Sequence, residues 1–220
     1  IGQAAMYELK RHYTPKSISQ NWDTYLRQYF YGGRVECLKG RGLFVGEYKL
    51  FDVNSLYPFV MANYEHPIGD MFDSLIRFGK PSDDTVFLDI ECDNRGALVG
   101  RNDNKETTAT IRRGRFLTTI WEYDVAMRHG LISDVRFNYV VDCSLRTNFT
   151  QFVQPLYEKR LTTKSELARM KSMGFDASAA YVDMKKDDIF YKLLLNNAYG
   201  KFAQNPRNFK EHYITDPQEL

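Results

Sequence analysis

The order of patterns along the chain limits its fold more than any single motif does. Strand-like segments cluster before residue 145 and long helical periodicity follows. From Asn148 to Gly174, and again from Ser178 to Phe202, the spacing predicts two long helices separated by "MGFDA". Upstream, "TVFLDIECD" and "SDVRFNYVVDCS" read as strands, "IWEYDVAMRHG" as a helix with a glycine stop, and "NWDTYLRQYF" as a helix. "GALVGRNDNKETTATIRRGRFLTTI" reads as strand, polar loop and strand, and "YGGRVE" as a turn entering a strand. Strands followed by helices imply an α+β layout, and 220 residues suit one large domain or two small ones.

Bulk properties exclude several classes. The formal net charge is only +2, so a protein that coats DNA by charge is excluded and any nucleic-acid contact must come from local patches. Tyr and Phe number fifteen each, a supply suited to a core or to base stacking. Cys37, Cys92 and Cys143 form no C-x-x-C pair, which argues against a zinc site or disulfide framework and for a reducing interior. His12, His66, His129 and His212 show no ligand spacing. No apolar run approaches the ~20 residues of a membrane span, so no membrane contact is expected.

Three stretches can carry chemistry. In "FDVNSLYP" a strand ends near Asp52 and a helix over Asn54–Tyr64 begins, with Pro58 near its first turn. A carboxylate there can hold a divalent metal, and helix N-terminal amides can meet phosphates. The plainer alternative has Asp52 or Asn54 capping the helix and Tyr57 packing in the core. In "KLLLNNAYG", Lys192, Asn196 and Tyr199 share one helical face while Leu193, Leu194, Leu195 and Phe202 supply the packed remainder. That face can grip a triphosphate and line a base, and Gly200 lets a base or backbone approach; equally, it can be a solvated surface. In "PLYEKRLTTKSE", Tyr157, Arg160 and Lys164 share a face, with Lys159 beside them. Such a face is ordinarily just solvated, but across an antiparallel pair Arg160 and Lys192 would form a two-cation phosphate clamp.

Together, in this order, these elements resemble family B DNA polymerases, most closely the protein-primed branch of phages and linear plasmids. "DVNSLYP" matches D-x-x-S-L-Y-P at every fixed position, and "KLLLNNAYG" matches K-x-x-x-N-S-x-Y-G except that Asn197 replaces serine. "FYGGR" resembles the Y-x-G-G link between exonuclease and polymerase parts, with Phe30 in the tyrosine place. The resemblance runs from about Tyr25 to Pro206. It implies that Asp52 and the Val53 carbonyl bind Mg²⁺ (or Mn²⁺). It implies a nucleotide site formed by Val53, Asn54, Ser55, Leu56, Tyr57, Asn196 and Tyr199, with Tyr57 under the incoming sugar. Arg160 and Lys192 would hold the triphosphate, and Gly32, Gly33, Asn197 and Gly200 would border template or DNA.

The same resemblance implies an antiparallel-sheet palm with long antiparallel fingers helices, in an incomplete polymerase core. Residues 1–34 would lead in from the exonuclease side, 35–145 form palm with inserted strands, 146–206 the insertion end and fingers helices, and 207–220 a return toward the palm. The implied partners are a dNTP, a DNA template-primer and a terminal (priming) protein, contacted by an insertion over Leu131 to about Leu156. The implied location is intracellular, in a bacterial cytoplasm or, for a linear plasmid, a mitochondrion. No D-T-D second metal motif occurs and the chain opens on Ile1, so the sequence reads as a polymerase fragment that would be inactive alone. Two other readings stand beside it. One is a non-catalytic module that binds DNA or a priming protein. The other is a nuclease using Asp89, Glu91 and Asp93, although "FLDIECD" is expected to be a palm-edge strand.

Overall fold

A computed structural model of the chain describes residues 1–14, 18–35, 40, 42–53, 55–68, 74–102 and 104–204. In chain order its elements are α1 (Gly2–Lys10), α2 (Gln20–Leu26) running into a 3₁₀ turn (Arg27–Tyr29), α3 (Leu56–Asn63), β1 (His66–Pro67), β2 (Ser74–Arg77), β3 (Thr85–Asn94), β4 (Gly100–Arg101), β5 (Thr107–Thr108), β6 (Arg113–Thr119), α4 (Ile120–Arg128), β7 (Ile132–Cys143), β8 (Arg146–Thr147), α5 (Thr150–Ser172) and α6 (Ala179–Ala203). The chain divides into two compact units. One is Thr14–Thr150; the other joins Ile1–Tyr13 to the described residues from Gln151 onward.

The first unit is built on an antiparallel sheet of order β2-β7-β3-β6. Alternation in β3 drives this arrangement: Leu88, Ile90 and Cys92 join Phe116, Ile132 and Val140 in a core closed by Ala126 of α4. Val86, Val141 and Cys143 form a second cluster with Trp22 and Tyr25 of α2. Both faces of β3 are therefore covered. The helix-start and helix-stop signals around α4 are met, by a Thr119–Glu122 capping box and by Gly130 at φ +62°.

Four expectations are corrected here. "FLDIECD" is a central strand, not a palm edge, because β6 and β7 both arrive from later sequence to flank it. The strand expected to end near Asp52 is absent: residues 42–53 form no regular element, and Leu43 and Leu50 are 92% and 97% exposed. The apolar run Leu43–Val45 suits a strand, but a strand exists only with a neighbouring ladder, and no described strand pairs with it. Residues 31–35 likewise carry no strand, and the rest of "YGGRVE" falls on Glu36, outside the described residues. The first strand of the "GALVGRN…" stretch shrinks to Gly100–Arg101, paired with Thr107–Thr108.

In the second unit α5 and α6 form the expected helical hairpin. α5 stops where Gly174 takes φ +79° and the Phe175 N–H reaches the Met170 carbonyl at 2.9 Å; Ser178 then caps α6 by accepting from the Tyr181 N–H at 3.2 Å. Arg160 and Asp188 lie fourteen residues before and after Gly174, and their ion pair at 3.0 Å ties the two arms in antiparallel register. Helix α1 packs on α6, burying Ala5 and Leu9.

Candidate active site

The candidate residues fall in both units. In the second, α6 has a packed side and a polar side. Leu194, Leu195 and Ala198 are buried, whereas Lys192, Asn196 and Tyr199 are exposed and spaced i, i+4, i+7 on one face. Asp188 sits one turn before Lys192 on the same stripe, so the Arg160 Nε that donates to Asp188 Oδ1 stands about 6 Å along the axis from the lysine's level. The stripe of α6 thus presents Lys192, Asn196 and Tyr199, while Arg160 is paired with Asp188 and its side chain is only 13% exposed. Among the described residues Lys192 has no ion pair. The Asn197 amide donates to the Leu193 carbonyl at 2.7 Å, so the residue that departs from the motif bonds back to its own helix. A Cβ at Gly200 would meet nothing within 4 Å, so no internal packing demands glycine there.

In the β-rich unit, Asp52 and Val53 are exposed, and Asp52 makes no hydrogen bond or ion pair with another described residue. Ser55, not Asp52, occupies the N-cap of α3, at φ 53° and ψ 43° without a side-chain cap bond. That left-handed backbone costs a non-glycine residue about 1–2 kcal/mol, and such strain gathers at functional sites. Tyr57 is 43% exposed, which removes the alternative of a packed core tyrosine. A Cβ on Gly33 would stand 3.5 Å from the Tyr57 hydroxyl, so the Y-x-G-G and D-x-x-S-L-Y-P segments touch; Gly32 faces open space. Asn54, the candidate cap and nucleotide contact, lies outside the described residues, as do Cys37 and 207–220.

The nuclease alternative loses its metal site. Asp89 is 1% exposed, gripped by Arg115 at 2.8 and 2.6 Å and by the Asn138 amide at 3.1 Å. Glu91 pairs with Arg136 at 2.9 Å and Asp93 with Arg113 at 2.7 Å. Each acid has its own arginine, and no cluster of three acid, His or Cys ligands occurs among the described residues. Burial, then Asp93, pushes the Cys92 thiol up to about 11, which makes it inert. Among the described residues no helix is long and apolar enough to cross a membrane. Sequence reasoning missed Asp188; its i, i+4 spacing to Lys192 was visible, but its pairing needs the hairpin register.

The antiparallel sheet of one unit and the helical hairpin of the other are the folds in which the D-x-x-S-L-Y-P and K-x-x-x-N-S-x-Y-G motifs stand. The chain belongs to the family B DNA polymerases, matching the "DNA polymerase type B, organellar and viral" family over residues 3–220. It is 32% identical over 216 residues to a DNA-directed DNA polymerase of Enterobacteria phage PRD1, covering 98% of this chain and 35% of that protein. It is 26% identical over 203 residues to a probable DNA polymerase of Ascobolus immersus, covering 88% of this chain and 15% of that one. The fold matches Phi29 DNA polymerase complexed with primer-template DNA and incoming nucleotide substrates at a TM-score of 0.64 and 17% identity, covering 93% of this chain and 36% of that one. The orthorhombic crystal form of Phi29 DNA polymerase matches equally, at 0.64 and 17%. The chain thus spans about a third of the PRD1 relative's length.

Proposed function

We propose that the chain forms the nucleotide-binding part of a DNA-directed DNA polymerase, serving nucleotidyl transfer from a dNTP to a primer 3′-hydroxyl or a priming-protein hydroxyl inside the cell. The polar stripe of α6 carries this reading: Lys192, Asn196 and Tyr199 lie exposed on one face, with Arg160 held against it through Asp188. Phosphoryl transfer depends on positioning and charge neutralisation more than on covalent help from the protein, and these side chains can supply both. Lys192 and Arg160 would hold the triphosphate, Asn196 and Tyr199 the nascent base pair, and Tyr57 the sugar. Asn197 and Gly200 would border the template. In this reading the β-rich unit is palm with inserted strands and the α5–α6 hairpin is fingers.

The donor set at Asp52 suits a hard divalent cation. One exposed carboxylate and one adjacent carbonyl are oxygen ligands of the kind Mg²⁺ or Mn²⁺ takes, with substrate phosphates completing the shell. When bound, the cation would neutralise charge on the phosphates. Asp52 and the Val53 carbonyl would hold it.

Titration of the chain with a fluorescent dNTP tests the reading. Binding is expected to require Mg²⁺, and Lys192→Ala is expected to weaken it by about tenfold or more, roughly 1.4 kcal/mol or above. Asp52→Asn is expected to abolish the Mg²⁺ dependence. Binding indifferent to both substitutions would overturn the proposal.

A further inference from the structure

In the helical unit, one residue on the polar stripe of α6 does not suit a surface meant only to attract phosphate. From Tyr199 toward the helix start, the stripe runs through Asn196, Lys192, Asp188 and Lys185, each three or four residues from the next and so on one side of the helix. Lys192 and Lys185 are both exposed. Among the described residues neither forms an ion pair, the nearby pairs being Lys186–Asp183 and Arg160–Asp188. Two helical turns, about 10 Å, separate the two lysines along the axis, and Asp188 stands between them. A carboxylate there weakens the field that an anion on the stripe meets.

Asp188 is also held in place. Its Oδ1 accepts from Arg160 Nε at 3.0 Å, and the two side chains are 21% and 13% exposed. The pair sits mostly inside the hairpin, and Asp188 keeps the larger share at the surface. Its bond to α5 restrains the side chain, so the carboxylate cannot swing freely off the stripe when an anion approaches.

We propose that Asp188 is a specificity-determining residue that limits the bound nucleotide to three phosphates. The assignment rests on the reading of the stripe as the triphosphate site. With the base at Asn196 and Tyr199 and the triphosphate at Lys192, any further phosphate extends along α6 toward Asp188. It brings another negative charge up to a restrained carboxylate before it can reach Lys185. Repulsion there offsets the attraction that the added charge gains from Lys192. A nucleoside tetraphosphate therefore binds no better than the triphosphate although it carries more charge. The longer chain is rejected by a placed like charge and not by lack of room.

The test is a competition titration in which dATP and deoxyadenosine 5′-tetraphosphate displace a fluorescent dNTP from the chain in excess Mg²⁺. The unaltered chain is expected to bind the two within about twofold of each other. A preference for the tetraphosphate of about tenfold or more would overturn the assignment with no variant needed. Asp188→Asn keeps an oxygen for Arg160 Nε and is expected to raise the affinity for the tetraphosphate relative to dATP by about fivefold or more. Adding Lys185→Ala to Asp188→Asn is expected to remove most of that gain. Asp187→Asn, exposed and off the stripe, is the control and is expected to leave the ratio unchanged; an equal rise there would show a general charge effect and overturn the assignment. If Asp188 served only to tie α5 to α6, its substitution would change both affinities alike, and the unchanged ratio would overturn the assignment. Binding of dATP that ignores Lys192→Ala would overturn the proposed function as well, whereas an unchanged ratio with that dependence intact overturns this inference alone.

Discussion

Tyr57 is the residue at which the proposed sugar site is most directly tested. Its ring is neither packed in the core nor fully in solvent, and its hydroxyl lies against the backbone of Gly33. A rigid aromatic ring under a sugar excludes a 2′-hydroxyl by volume, which is steric rejection and not hydrogen-bond readout. Tyr57→Val should therefore raise the affinity for ATP relative to dATP by about tenfold, a loss of roughly 1.4 kcal/mol of discrimination. Paired equilibrium titrations of the chain with the two nucleotides check this, and an unchanged ratio would remove Tyr57 from the sugar site. Gly33→Ala places its methyl at ordinary van der Waals distance from the hydroxyl, so it should leave the ratio within about twofold and serve as the control.

At the scale of the element, α6 presents a conflict between stability and use. Gly200 sits inside the helix, where glycine costs about 1 kcal/mol relative to alanine, and nothing in the fold requires it: an added Cβ would touch no neighbouring atom. A residue kept against its own helix propensity is explained by something that approaches from outside. Gly200→Ala should raise the unfolding free energy by up to about 1 kcal/mol in urea titration. It should also weaken template-primer binding, measured by anisotropy with a hairpin DNA. Stabilisation without loss of DNA binding would show that the glycine serves no ligand. Much of this helix was legible in the sequence, because its packed and polar faces follow from local spacing. The same is true of α5, α4, β3 and β7. The segment before Asp52 was not, since its apolar residues read like a strand while pairing depends on residues far away in the chain. The central place of β3 escaped for the same reason: alternation shows that a face is buried, not which strands flank it. Asp188 was hidden by resembling any charged residue on a solvated helix.

At the scale of the whole molecule, the candidate residues fall in both compact units. Asp52 belongs to the β-rich unit, and Lys192 and Arg160 to the helical one. The sequence motifs that mark each unit are local. Amide hydrogen exchange can read nucleotide binding in each unit by itself. The exposed residues 50–53 should exchange rapidly in the free chain, and the β3 amides slowly, because β3 is laddered on both sides and buried. Adding Mg²⁺ with a dNTP should slow exchange at 52–57 and at 192–200 together, by several-fold or more, whereas dNTP with EDTA should protect neither segment fully. Asp52→Asn should then reduce protection at 52–57, and Lys192→Ala that at 192–200. Protection of either segment that survives its own substitution would remove that residue from the proposed nucleotide-binding role.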